Sequence, residues 1–128
     1  MIGAGWTLAA CAGAERFTLG ALAGPGNVEA VDHAVACDFG AALAAASREA
    51  QAENPSRQLF TRFIRYAVHT ETGRPDLAAR ALDEAYADPG MNPDRDTSRA
   101  EMRESAQGVL DAIRAQRAEE TGSPACPA

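Results

Sequence analysis

The chain has 128 residues, enough for one domain, and carries a net charge of −6. That acidity disfavours nucleic acid and anionic membrane surfaces as partners, since both are polyanions, and no run approaches the roughly 20 apolar residues of a transmembrane helix. Leu, Ile, Val and Phe together number 20 against 30 Ala, so the expected core is made of helices approaching closely over small side chains, with little apolar area removed per residue at roughly 25 cal/mol per Å².

All 12 basic residues are Arg. Beside so much Ala, this reads as the coding bias of a GC-rich bacterial genome rather than as a functional signal. At the N-terminus an apolar run from Ile2 leads into Leu8-Ala9-Ala10-Cys11. This stretch resembles the lipobox of bacterial lipoproteins, whose small residues let a signal peptidase admit the extended backbone. The resemblance implies that residues 1–11 are the remnant of an export signal, with Cys11 lipidated as the mature N-terminus. The run is shorter than a full signal peptide and has no Lys or Arg before Ile2. The same residues also read as a plain Ala-rich terminus. With Cys11 set aside by that resemblance, Cys37 and Cys126 remain, and an even pair in a small exported domain is most simply a disulfide.

Residues 12–26 contain Gly13, Gly20, Gly24, Pro25 and Gly26 and read as a tether and irregular strap anchored by Phe17, Leu19 and Leu22. Asn27 is placed to cap a long helix running to about residue 52. Val28, Val31, Val35, Phe39 and Leu43 form its large stripe, and Ala30, Ala34, Cys37, Ala41 and Ala44 its small face. The large stripe is expected to pack on the following hairpin. The small face would be covered by the strap, the C-terminal tail or a partner, which makes Ala34 and Ala41 candidates for partner binding.

Asn54-Pro55 marks the next helix start, with Pro at the first helical position. Leu59, Phe60, Phe63, Ile64, Ala67 and Val68 repeat at helical spacing, as do Leu77, Ala78, Ala81, Leu82, Ala85 and Tyr86. Gly73 and Pro75 separate the two stripes, which predicts an αα-hairpin over 54–87. Pro89, Gly90 and Pro93 form a loop. Ser98 with Glu101 fits a capping box opening a last helix to about residue 120, with Met102, Ala106, Val109, Leu110 and Ile113 inward. The expected fold is all-α: a small four-helix bundle built around the hairpin, with the domain at 27–120 and a tail at 121–128. Gly73, Ala78, Leu82, Ala85 and Pro89 also resemble the small-residue and closing-Pro pattern of a tetratricopeptide-like hairpin over 57–89, which implies an adaptor that binds peptides or proteins.

Chemistry-bearing patterns are sparse. His33 and Cys37 are four apart on one helix, but two ligands do not make a metal site. Hydrolase, zinc-protease and phosphate-loop motifs are absent from the sequence. No cofactor, metal or catalytic residue is expected. Gln58, Arg62, Arg65 and His69 share the outward face of the first hairpin helix. They form a basic strip that either pairs with Asp83 and Glu84 or meets an acidic partner surface, where Arg is favoured for bidentate bonding to carboxylates. The reading that follows is a bacterial periplasmic lipoprotein held to the membrane through Cys11. It acts as a helical adaptor or accessory subunit for a protein partner in the cell envelope, without nucleic acid. A soluble periplasmic module binding a peptide or small ligand is the alternative, and an enzyme the third reading.

Overall fold

The computed structural model describes residues 23–51 and 54–127. The lipobox-like stretch with Cys11, and the strap anchors Phe17, Leu19 and Leu22, lie outside them. The described residues are all-helical, with five helices: α1 (Pro25–Val35), α2 (Phe39–Ala50), α3 (Pro55–Glu71), α4 (Pro75–Ala87) and α5 (Arg99–Thr121).

The fifth helix comes from a break in the segment expected to be one long helix, so the four-helix expectation is corrected. The chain turns back at Ala36-Cys37-Asp38. Cys37 N–H donates to the Ala34 carbonyl at 3.0 Å and Asp38 N–H to the His33 carbonyl at 2.9 Å, while Cys37 sits in the left-handed region at φ 64°. These are the two bonds of a Schellman ending, made here without glycine. Asp38 then caps α2 by accepting the Ala41 N–H at 3.2 Å. The α3–α4 turn repeats the ending with Gly73 at φ 71°: Gly73 N–H bonds Thr70 O and Arg74 N–H bonds His69 O. Of the other predicted caps, Asn54 and Ser98 are in place and Asn27 is not: α1 already begins at Pro25 behind Gly24, so Asn27 lies inside its first turn. Asn54 Oδ1 accepts the Arg57 N–H and Ser98 Oγ accepts the Glu101 N–H.

Because α1 and α2 fold back on each other, the assignment of their faces also changes. Ala30, Ala34, Ala42, Ala45 and Ala46 are buried, whereas Val31, Phe39 and Leu43 are only partly covered. The inside therefore matches neither expected face whole: Ala30 and Ala34 of the small face and Val35 of the large stripe are buried, while Ala44 is exposed and Ala42, Ala45 and Ala46 supply the buried face of α2. Two helices crossing over Ala can approach closely, and the larger side chains are displaced to the edges of that contact. Ile64, Ala67 and Val68 of α3 and Leu110 and Ile113 of α5 complete this core. Phe63, Leu82 and Ala106 form a second, smaller cluster between α3, α4 and α5.

Helix α3 packs against each of the other four helices, while α2 and α4 do not pack on each other among the described residues. Paired contacts advance together along α1, α3 and α5, so these run parallel: Asn27 meets Thr61 near one end, Tyr66 meets Gln107 midway, and Arg117 joins Val35 to Glu71 at the other end. Helices α2 and α4 return antiparallel, each packed on α3.

Two polar clusters pin this arrangement. At the start of α1, buried Asn27 donates to the Ala23 and Arg57 carbonyls and accepts from Thr61 Oγ1 at 2.9 Å. Nearby, Glu49 of α2 accepts the Gly26 N–H at 3.0 Å, placing a carboxylate on the helix N-terminus. At the other end, Arg117 is 1% exposed and uses every donor it has. Nε bonds Val35 O, Nη2 bonds Ala34 O and Glu71 Oε1, and Nη1 bonds Glu71 Oε2 and Pro124 O, at 2.6–3.2 Å. Directly above, Cys37 and Cys126 are joined in a disulfide with Cα atoms 5.8 Å apart, within the ordinary bonding range. The tail is thus held to the end of α1 both covalently and through Arg117.

Candidate functional site

Arg62, Arg65 and His69 fall at i, i+3 and i+7 of α3, which places them on one face. That face is opposite the buried Ile64, Ala67 and Val68 and lies between α2 and α4, so these two helices form the walls of a groove with the strip as its floor. Each wall makes contact with the floor. Arg62 Nη1 pairs with Glu84 Oε2 of α4 at 2.9 Å, and Arg65 Nη2 lies 3.4 Å from Ser47 Oγ of α2. Asp83, the other acid considered for the strip, faces α5 instead and pairs with Arg99 at 2.7 Å. All three strip residues are half-buried.

The electrostatics of the strip are unbalanced. Glu84 is committed to Arg62, and no carboxylate lies within 4.0 Å of Arg65 among the described residues. Burial, followed by the neighbouring Arg62 charge, lowers the Arg65 pKa below its ordinary value, with Glu84 opposing. A guanidinium stays charged under such a shift. For His69 the direction is also downward: burial first, then the Arg74 and Arg65 charges, favour the neutral ring. Arg74 is beside it because the α3–α4 turn ends on a bond from Arg74 N–H to the His69 carbonyl at 2.8 Å. His69 Nδ1 and Arg62 Nε are both buried without a hydrogen-bond partner. The groove floor therefore combines the standing charge of Arg65, which has no carboxylate within 4.0 Å among the described residues, with an imidazole whose neutral form is favoured by burial and by the Arg74 and Arg65 charges.

The other sequence candidates go elsewhere. Ala34, proposed as partner-binding, is 1% exposed and lies inside the bundle, because the break after α1 turns this part of the small face inward. Ala41 is half-buried in the first turn of α2. Cys37 and Cys126 meet as expected. His33 lies 3.5 Å from Glu29, and the described residues contain no group of three or more His, Cys, Asp or Glu placed to hold a metal ion. Sequence reasoning missed the Arg117–Glu71 pair. Its signal was the register of the last helix, since Arg117 continues the inward stripe Met102, Ala106, Leu110, Ile113.

No family model, curated protein or solved structure matches this chain.

Proposed function

We propose that the protein is an exported helical adaptor that docks an acidic surface of a partner protein into the groove between α2 and α4. Arg65 carries the reading. In a chain of net charge −6, it is a half-buried cation in a groove floor with no carboxylate within 4.0 Å among the described residues, and a bidentate carboxylate partner would satisfy it. Two features support the setting. The Cys37–Cys126 disulfide suits an oxidising compartment. The Leu8-Ala9-Ala10-Cys11 stretch supports a lipid anchor at Cys11 in the bacterial envelope, which the intact mass of the protein recovered from host membranes tests directly. Packing of successive helical hairpins, α1–α2 and α3–α4 closed by α5, is an architecture that presents grooves to protein segments.

The test is site-specific photo-cross-linking in the native envelope from Gln58, on the strip, and from Ala112, on the exposed face of α5. The protein captured is then purified and its binding measured. The expected result is capture from Gln58 and not from Ala112, with Arg65→Ala weakening the purified complex by about ten-fold or more at an unchanged unfolding midpoint. Full affinity in both Arg65→Ala and Arg65→Glu would overturn the proposal.

A further inference from the structure

We infer that the groove is a carboxylate receptor in which Arg65 supplies the standing charge and His69 takes up a proton as the anion docks, so that the site tightens as its medium acidifies. This rests on the groove reading above and assigns its regulation.

The geometry is specific. Arg65 and His69 are one helical turn apart on the same face, so one carboxylate can reach both. The guanidinium remains a donor throughout. The imidazole nitrogen Nδ1 is buried and has no hydrogen-bond partner, so a docked carboxylate acts on the half-buried ring through its charge rather than through a bond at Nδ1. The charges that act on the ring are Arg74 of the following turn and Arg65 of α3. Arg65 in turn has Arg62 beside it on α3. Helix α4 contributes Glu84, already bonded to Arg62, and α2 contributes the uncharged Ser47 hydroxyl near Arg65. The cations nearest His69, Arg65 and Arg74, disfavour the imidazolium, and no acid among the described residues pairs with it to offset them. A docked carboxylate reverses that balance by placing a negative charge against the ring. The empty groove favours the neutral ring of His69, and a docked carboxylate favours its protonated form. By linkage, the proton gained on docking is also the reason that affinity rises as pH falls. His33 provides a built-in control, because the chain has 2 His and this one lies on α1 beside Glu29.

The experiment follows both imidazole rings by NMR through a pH titration of the intact oxidised protein, alone and with saturating blocked poly-glutamate peptide. A poly-glutamine peptide of the same length is the neutral control. Glutamate side chains stay largely ionised above about pH 5.5, so the probe itself is nearly constant over the window. With poly-glutamate the His69 midpoint should rise while His33 stays in place. Affinity for poly-glutamate should rise about ten-fold for each unit of that rise as pH falls from about 7.5 to about 5.5. His69→Gln should bind with little pH dependence, and Arg65→Gln should lose binding. Binding that is independent of pH with an unmoved His69 overturns the proton coupling and leaves the groove reading standing. Failure of poly-glutamate to bind at either pH, or equal binding by Arg65→Gln, overturns both.

Discussion

Replacing Arg117 by Met tests the most concentrated interaction in the structure. The substitution keeps most of the side-chain volume and removes the guanidinium. It leaves Glu71, whose side chain is 8% exposed, with only Arg114 Nε at 3.8 Å. Breaking a buried pair by removing one partner costs roughly 3–5 kcal/mol, because the remaining charge stays desolvated. The Val35 carbonyl loses its donor at 3.2 Å, adding about 1 kcal/mol, and the tail loses its bond at Pro124. A total of about 5 kcal/mol is a large share of the roughly 5–15 kcal/mol that holds a domain together. Urea unfolding followed by far-UV circular dichroism, with the disulfide intact, should show the midpoint falling by about 2 M at an unchanged slope. Adding Glu71→Leu removes the stranded carboxylate, and the double variant should recover about 2 kcal/mol relative to Arg117→Met alone. If Arg117→Met unfolds within about 1 kcal/mol of the parent, or if Glu71→Leu makes it worse, the pair is not a keystone and the reasoning fails.

Three further outcomes follow from particular residues. Opening the disulfide with Cys126→Ser removes a link across a sequence separation of 89 and should cost up to about 4–5 kcal/mol by the chain-entropy argument; in that background Cys37→Gly should unfold at higher urea than Cys37→Ala by about 1 kcal/mol, since φ at this position is 64°. Gly26→Ala should destabilise by roughly 1–3 kcal/mol, because its Cβ would lie 2.8 Å from Glu49 Oε2 and 3.0 Å from the Ala45 carbonyl, whereas Gly108→Ala on exposed α5, with nothing within 4 Å, should stabilise by about 0.5–1 kcal/mol in the same urea assay. The lowered pKa of His69 means that the native state binds fewer protons than the unfolded chain between its depressed value and the unfolded value near 6.5, so stability should fall as pH drops through about 6.5; urea midpoints measured across that range should show a shallower loss in His69→Gln, and parallel curves for the two proteins would refute the shift.

Local chemistry made most of the helical segments legible. Asn54-Pro55, Gly73-Arg74-Pro75 and Ser98 with Glu101 are start and stop signals read from a few neighbouring residues; α3 begins and ends, and α4 and α5 begin, within a residue or two of them. The disulfide could be read from cysteine arithmetic, and the basic strip from helical spacing alone. The break at Cys37 could not. Ala is the best helix former, so the run through Ala34, Ala36, Ala41 and Ala42 carries no local penalty for continuing, and a left-handed Cys is an unfavourable choice taken alone. Folding back buries two Ala faces together and brings Cys37 to Cys126, and both gains exist only once the tail and α5 are in place. The same dependence decided which face of that segment is the inside, turning Ala34 inward and leaving Leu43 at the edge. Pairing was decided there as well. Spacing offered Arg62 and Arg65 the same acids, but the crossing of α3 with α4 gives Glu84 to Arg62, α5 takes Asp83 through Arg99, and Arg65 is left facing the groove with no carboxylate within 4.0 Å among the described residues.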